Sequence, residues 1–129
     1  MSDFSDALSL SSSGLQAQSQ RLRHLSENIA NSDTPGYRRK TVAFETVLRG
    51  ETPGAVETGR VRLDPGELEQ IYDPSHPLAD ESGTYAGSNV ELVIELADAR
   101  EAQRSYEANL KMFDQARQMS SSLMDLLRR

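Results

Sequence analysis

The sequence has no cysteine and no tryptophan, and only three phenylalanines and four tyrosines among its 129 residues. Without cysteine, the chain cannot form disulfides, cysteine-ligated zinc sites or a thiol nucleophile. Large aromatic side chains dominate core burial, so their scarcity argues against a thick, independent core. The longest uninterrupted apolar runs, such as residues 92–94, have three residues. A membrane-spanning helix needs about 20, so we expect no membrane insertion.

Basic residues are also few, with 14 Lys or Arg against 20 Asp or Glu. The resulting net charge of −6 argues against nucleic acid as a partner, because a nucleic-acid surface requires a basic stripe to neutralise phosphates. Asp3 and Asp6 stand where a secretory signal would carry basic residues. We therefore predict that any export of this chain proceeds without a cleaved signal peptide.

Motifs that support catalysis or cofactor binding are missing from the sequence. It contains no His-Glu-x-x-His, no glycine-rich phosphate loop and no nucleophile elbow. The two histidines, His24 and His76, are far apart in the chain, and one imidazole rarely binds a metal alone. We predict no enzymatic activity, no cofactor and no metal site.

Glycine and proline divide the chain into three parts. All five prolines and seven of the eight glycines lie in residues 31–88. Because these residues mark turns, we predict an N-terminal helix over 1–30, a turn-rich β or irregular middle segment over 31–88, and a C-terminal helix over 89–129. The expected fold is mainly α, with the two long terminal helices packed as a coiled-coil-like pair.

Apolar residues recur at helical spacing in both terminal segments. In the first, Leu8 begins a row that repeats every seven residues; in the second, two apolar rows share one helix, so a single partner helix cannot cover both. Ser88 and Glu91 fit a capping box that would start the second helix. The side chains expected to mediate helix packing and assembly are Leu8, Leu15, Leu22, Leu25, Ile29, Leu92, Leu96, Tyr106, Leu110, Phe113, Met119, Leu123 and Leu127.

Shorter features are predicted between the helices. Possible strands cover residues 41–48, 55–63 and 68–72, with turns at Gly50 and at two Pro-Gly pairs. The segment 31–37, Asn-Ser-Asp-Thr-Pro-Gly-Tyr, directly follows the first helix. Its Asn suits a left-handed helix cap and its Pro-Gly pair a type II turn, so it is either an ordinary helix terminator or a functional redirection of the chain.

Residues 26–38, Ser-Glu-Asn-Ile-Ala-Asn-Ser-Asp-Thr-Pro-Gly-Tyr-Arg, resemble the N-terminal signature of bacterial flagellar rod, hook and hook-associated proteins. Residues 17–22, 72–80 and 104–109 are more specifically similar to one branch of proximal-rod proteins, although the short Thr-Pro-Gly form of the signature is similar to the sister FlgB branch. The positions that carry the rod-family motif are Asn28, Ala30, Asn31, Thr34, Pro35, Gly36 and Tyr37.

The resemblance implies a structural subunit of the proximal rod in the flagellar basal body, a drive shaft that spans the periplasm and is needed for motility. It further implies polymerisation through the terminal helices, with the partners being further copies of the chain and FlgB- and FlgF-like subunits. Export through the flagellar type III apparatus is implied as well. The helix-weak run at residues 11–14 suggests that the helices order only on assembly.

Two other classes of protein fit the composition. A cytoplasmic helical adaptor or secretion chaperone would be equally acidic and helical, and would form a closed oligomer. A hydrolase would require two carboxylates to converge in a pocket, from the set Asp64, Glu67, Glu69, Asp73 and Asp80. The basic cluster at residues 37–40 is either a solvated turn edge or a contact to an acidic neighbouring subunit.

Overall fold

A computed structural model describes residues 2–47 and 53–128 of the protein. Helix α1, Ser2–Ala30, and helix α2, Leu92–Leu127, lie side by side and antiparallel. Asn28 contacts Glu95 near the end of α1, and Arg21 contacts Glu101 about two turns further along the pair. The predicted fold class, two packed terminal helices with a small middle segment that contains short strands, is confirmed.

The seam between the helices is built from small and polar side chains. Among the described residues, the buried apolar ones are Ala17, Leu25, Ala102 and Ala116. Gly14 provides the closest approach, since a Cβ atom there would lie 2.5 Å from Oδ1 of Asn109. Three of these four apolar residues are alanines, so the seam removes little apolar surface from water, and larger apolar side chains are left at its edges.

The start of α2 and the cap after α1 differ from what the sequence predicts. Helix α2 has Glu91 as its N-cap, in an extended conformation and without a side-chain cap, so the predicted capping box is wrong. The Ser88 hydroxyl instead donates to the Ser32 carbonyl and accepts from the Val90 amide, which ties the segment before α2 to the one after α1. Asn31 is not left-handed; its Nδ2 donates to the Glu27 carbonyl, closing the last turn of α1.

The Pro-Gly turn that follows α1 has the predicted geometry. Gly36 has a φ of 75°, and the Tyr37 amide donates to the Thr34 carbonyl at 3.2 Å. A positive φ at the third residue after a proline at the second is the arrangement of a type II turn. The amide of Gly36 also donates to the carbonyls of Ala86 and Gly87, so this turn brings the chain back beside the start of α2.

In the described part of the middle segment, six short strands form three antiparallel pairs. Strands β1 and β4 pair through Lys40 and Leu63, β2 and β3 through Glu45 and Glu57, and β5 and β6 through Ile71 and Tyr85. Their bounds are β1 Lys40–Thr41, β2 Phe44–Thr46, β3 Val56–Thr58, β4 Arg62–Leu63, β5 Gln70–Tyr72 and β6 Thr84–Ala86.

Five of these strands overlap the segments in which strands were predicted, whereas β6 was missed. Its three residues are too few for an alternating pattern and stand between Gly83 and Gly87. The predicted turn at Gly50 lies outside the described residues. Neither described helix combines the length and the apolar character that crossing a bilayer would require.

Candidate assembly surface and polar junction

A buried polar cluster joins the end of α1, the segment after it and the first turns of α2. We call it the polar junction and define it as Asn28, Tyr37, Arg39, Asn89 and Glu95. Asn28 and Glu95 are fully buried, and they are the largest side chains in the described chain that are so. Because buried polar groups are costly unless paired, their partners determine whether this junction stabilises the fold.

Every hydrogen-bonding position of the Asn28 amide is used. Its Oδ1 accepts from the Tyr37 hydroxyl and from the Lys40 amide, each at 2.8 Å. Its Nδ2 donates to the Lys40 carbonyl at 2.9 Å and to Oε2 of Glu95 at 3.3 Å. Burial raises the pKa of Tyr37, which keeps the phenol protonated as a donor. One side chain therefore fixes the end of α1 to strand β1 and to α2.

The buried carboxylate of Glu95 is compensated by Arg39. Nε of Arg39 lies 2.5 Å from Oε1 of Glu95, and the same guanidinium reaches Asp64 at 3.5 Å and Asp98 at 3.8 Å. Burial works to lower the pKa of Arg39, but the hydrogen bond and the charge of Glu95 outweigh it and raise the pKa. The Arg39 amide also donates to Oδ1 of Asn89 at 2.7 Å, so three segments meet at this residue.

The basic cluster at residues 37–40 is engaged within the chain, so its interpretation as a solvated turn edge is wrong, and its contact to an acidic neighbouring subunit stays a prediction. Nη1 of Arg38 donates to the carbonyls of Asp64 and Gly66, and Nζ of Lys40 lies 2.8 Å from Oε2 of Glu27. The hydrogen bond from Lys40 lowers the pKa of Glu27, and Glu27 in turn raises that of Lys40. These cations hold loops and helix α1 in place.

Three of the five carboxylates considered for a hydrolase have local structural partners, and the other two, Glu67 and Glu69, are exposed. Asp64 accepts from the Gly66 amide and contacts Arg39. Asp73 accepts from Ser75, and Asp80 accepts from residues 82 and 84, whose hydrogen bonds lower its pKa. These are the contacts of turn-forming aspartates.

Both ends of α2 expose large apolar side chains. We call residues Leu92, Val93, Ile94 and Leu96 the apolar start of α2, where Val93 is 80% exposed. We call Met124, Leu126 and Leu127 the apolar end of α2, where Leu127 is 71% exposed. Contiguous exposed apolar surface is typical of sites that contact another molecule, so both ends of α2 are candidate assembly surfaces.

An open apolar groove of about 690 Å³ lies beside the far part of the helix pair. It runs between the first turns of α1, the turn before β3 and the later turns of α2. Its apolar lining consists of Phe4, Ala7, Leu10, Gly54, Val56, Met112, Ala116 and Met119. The groove adds to the apolar surface that the helix pair leaves uncovered.

The predicted packing and assembly residues fall into two groups. Those that are buried or half-buried between the elements are Leu8, Leu15, Leu22, Leu25, Ile29, Tyr106, Phe113 and Leu123. Those that are exposed are Leu92, Leu96, Leu110, Met119 and Leu127. Helix α1 thus covers the row of α2 that contains Ala102 and Ala116, and the other apolar row stays largely open.

The motif residues divide in the same way. Asn28 is buried, Asn31 and Tyr37 are half-buried, and the remaining four, Ala30, Thr34, Pro35 and Gly36, are exposed. Sequence reasoning missed Arg39, Asn89 and Glu95 as members of the junction. One signal was available: Glu95, Ala102, Asn109 and Ala116 are spaced by seven residues, as the members of a single helix seam are.

Comparison with known proteins matches both helices to flagellar proteins. Residues 8–38 match the family model described as flagella basal body rod protein, and residues 81–126 match that of the flagellar basal body rod FlgEFG protein C-terminal. The flagellar basal-body rod protein FlgC of Agrobacterium fabrum is 45% identical over 138 residues, an alignment that covers 99% of this chain and 98% of the relative. The chain belongs to the FlgC family of flagellar basal-body rod proteins.

Other members of the FlgC family are similar over most of their length. FlgC of Aquifex aeolicus is 41% identical, with 88% of this chain and 89% of the relative covered. FlgC of Salmonella typhimurium is 32% identical, with 91% and 92% covered. The branch indicated by residues 72–80 is thereby confirmed over the FlgB alternative. The matched segments contain most of both helices and four of the five junction residues, namely Asn28, Tyr37, Asn89 and Glu95.

Proposed function

We propose that this protein forms the wall of the flagellar rod by polymerising through the apolar surfaces that its helix pair leaves exposed. Membership of the FlgC family makes the chain a structural subunit of the basal-body rod, so the proposal concerns how it assembles. The observation that carries it is the exposure of large apolar side chains at both ends of α2, where Val93 is 80% and Leu127 71% exposed. Such surfaces are stabilised when a neighbouring subunit covers them.

The two ends of α2 are chemically different, which favours contacts that repeat head to tail. The apolar start carries leucine and β-branched residues beside acidic ones, whereas the apolar end carries Met124, Leu126 and Leu127 before Arg128. A heterologous contact between unlike surfaces propagates into an open helix when its rotation does not close a ring. The partners are further copies of this chain and FlgB- and FlgF-like subunits, and the tube that results transmits torque and supports motility.

Export through the flagellar type III apparatus without a cleaved signal peptide is the second element of the proposal. The helix seam supports it, because its buried apolar residues in the described chain are three alanines and Leu25. Ordering a residue costs about 1–2 kcal/mol of backbone entropy, which so small a seam offsets poorly. We infer that the helices order fully only when neighbours cover them. Strong amide protection of both helices in the purified monomer would contradict this inference.

Removal of residues 123–129 tests the proposal, because it deletes Leu126 and Leu127 from the apolar end of α2. Cells that carry the truncated chain as their only copy are expected to form no rods and to be non-motile, while the truncated chain stays soluble. A control with Asp125→Ser and Arg128→Ser removes one acidic and one basic side chain from this end, keeps its leucines, and should assemble. Rods of normal appearance with the truncated chain, or a closed oligomer of constant size as concentration rises, would overturn the proposal.

A further inference from the structure

The seam between α1 and α2 repeats every seven residues on both sides. In α1 the apolar row follows Leu8, Leu15 and Leu22, and in α2 the covered row follows Ala102, Asn109 and Ala116. If one helix slid along the other by one repeat, leucines would again flank small residues. Apart from the close fit of Asn109 on Gly14, the buried apolar contacts are mostly alanine, which provides little shape to distinguish one alignment from the next. The seam alone therefore specifies the register weakly.

The polar junction fits only one alignment. With Asn28 beside Glu95, all four hydrogen-bonding positions of the Asn28 amide are satisfied, and the Glu95 carboxylate meets Arg39. A shift of one repeat would place the Asn28 amide against Ala102 or beyond the start of α2. Buried Asn28 and Glu95 would then lose their partners, and an unpaired buried polar group is strongly unfavourable.

Asn89 fixes the same alignment from the other side. Its Oδ1 accepts from the Arg39 amide at 2.7 Å, and its Nδ2 donates to the carbonyls of Asp64 and Gly66 at 3.1 and 3.3 Å. Because Asn89 lies three residues before Leu92, it holds the start of α2 to the segment that follows α1. Any slip of the helices would have to break these bonds as well.

We propose that the polar junction, rather than the apolar seam, sets the register of α1 on α2. The register in turn determines how far the apolar end of α2 extends past α1. Phe4 in the first turn of α1 shares a groove with Met119, Leu123 and Leu126, so only the last turns of α2 project beyond it. A slip of one repeat would move this end by about 10 Å. That the register matters for function rests on the proposed assembly role. That the polar junction sets the register does not depend on that role.

Disulfide trapping reads the register directly, because the chain contains no cysteine. The pair Gly14→Cys with Asn109→Cys reports the alignment of the structure, since a Cβ at position 14 would lie 2.8 Å from Cγ of Asn109. Pairing Gly14→Cys with Ala102→Cys, or with Ala116→Cys, reports a slip in either direction. The slip reporters also carry Asn109→Ser, which gives the new side chain at position 14 room.

The three reporters are placed in the full-length chain with the junction intact, and in a chain with Asn28→Leu, Asn89→Leu and Glu95→Leu. These leucines replace the hydrogen-bonding side chains of the polar junction with apolar ones, so the helices can still pack but the junction is lost. The cross-linked fraction is measured after mild oxidation, in the purified protein and in isolated basal bodies. A control chain carries the same number of added leucines at the exposed positions Ser26, Gln103 and Glu107.

With the junction intact and in the control, the native pair should cross-link at least about tenfold more than either slip pair. In the junction variant this ratio should fall by about tenfold or more, because a slipped alignment no longer leaves buried polar groups without partners. Asn28→Ala alone should also lower the ratio. This single variant provides the test if the triple variant loses its helical circular dichroism and is therefore unfolded. An unchanged ratio in these variants, or no native cross-link with the junction intact, would overturn the proposal. A normal register in subunits that fail to polymerise would instead count against the assembly role alone.

Discussion

Replacing Leu126 and Leu127 with serine should weaken rod assembly without destabilising the free subunit. The two side chains are 63% and 71% exposed, so neither supports the fold of the monomer to a large extent. Full burial of a leucine contributes about 1.5–3 kcal/mol, and covering two-thirds of it about 1–2 kcal/mol. The double variant therefore loses about 2–4 kcal/mol per subunit contact. Because about 1.4 kcal/mol corresponds to a factor of ten, the critical concentration for polymerisation should increase by a factor of between about 30 and several hundred.

The assay is sedimentation of polymer as a function of total protein concentration, with electron microscopy of the pellet. The matched control is Leu63→Ser with Leu78→Ser, because these leucines are 58% and 63% exposed but belong to the middle segment. The control should change the critical concentration far less. If both double variants shift it equally, general loss of apolar surface explains the effect. If Leu126→Ser with Leu127→Ser leaves it unchanged, the apolar end of α2 is not an assembly surface.

Three further substitutions test the packing within the subunit. Glu95→Ala removes the closest partner of the half-buried Arg39 guanidinium, so urea unfolding should show a loss of about 2–3 kcal/mol, against less than about 1 kcal/mol for the exposed Glu101→Ala; similar losses would refute the compensation. Gly14→Ala should lower the free energy of unfolding by about 1 kcal/mol, because the clash of the new Cβ with Asn109 exceeds the gain in helix propensity. Adding Asn109→Ala should restore the stability, which thermal unfolding measures. The pKa of Glu27 is lowered by its lysine partner, so its contribution exists above the unfolded pKa of about 4.3 and is lost as pH falls through the folded pKa. The free energy of unfolding of Glu27→Gln should therefore be lower than that of the wild type at pH 6–8, and the two should be equal at about pH 3. Urea unfolding at both pH values measures this, and a difference that does not depend on pH would contradict the pairing.

Both helices and the turn after α1 could be predicted from the sequence because their signals are local. Each signal lies within the element that it predicts. The helices are marked by the scarcity of glycine and proline and, in α1, by the seven-residue spacing from Leu8; the turn is marked by the Pro35–Gly36 pair. Helix α1 ends at Ala30 as its prediction states, and Gly36 has the positive φ that the turn requires.

The polar junction could not be predicted, because its contacts join positions far apart in the chain. Asn28 and Glu95 are separated by 67 residues, and Arg39 and Glu95 by 56. A glutamate in the first turns of a helix is usually solvated and favoured by the helix dipole, so the local sequence around Glu95 indicates an exposed residue. Its burial depends on Arg39, which looks like part of an exposed basic run. The start of α2 was misplaced for the same reason, since Ser88 bonds to the distant Ser32 carbonyl rather than to its own helix.

The accessibility of Val93 and Leu127 in the free subunit and in assembled rods shows directly whether the ends of α2 are assembly surfaces. Each is replaced singly by cysteine in this cysteine-free chain, and the rate of thiol alkylation is compared between the two states. We expect rapid labelling of both positions in the free protein, and labelling at least about tenfold slower in rods, where neighbouring subunits cover the ends of α2. Equal labelling rates in free subunits and in rods would contradict the claim that these exposed apolar ends are the assembly surface.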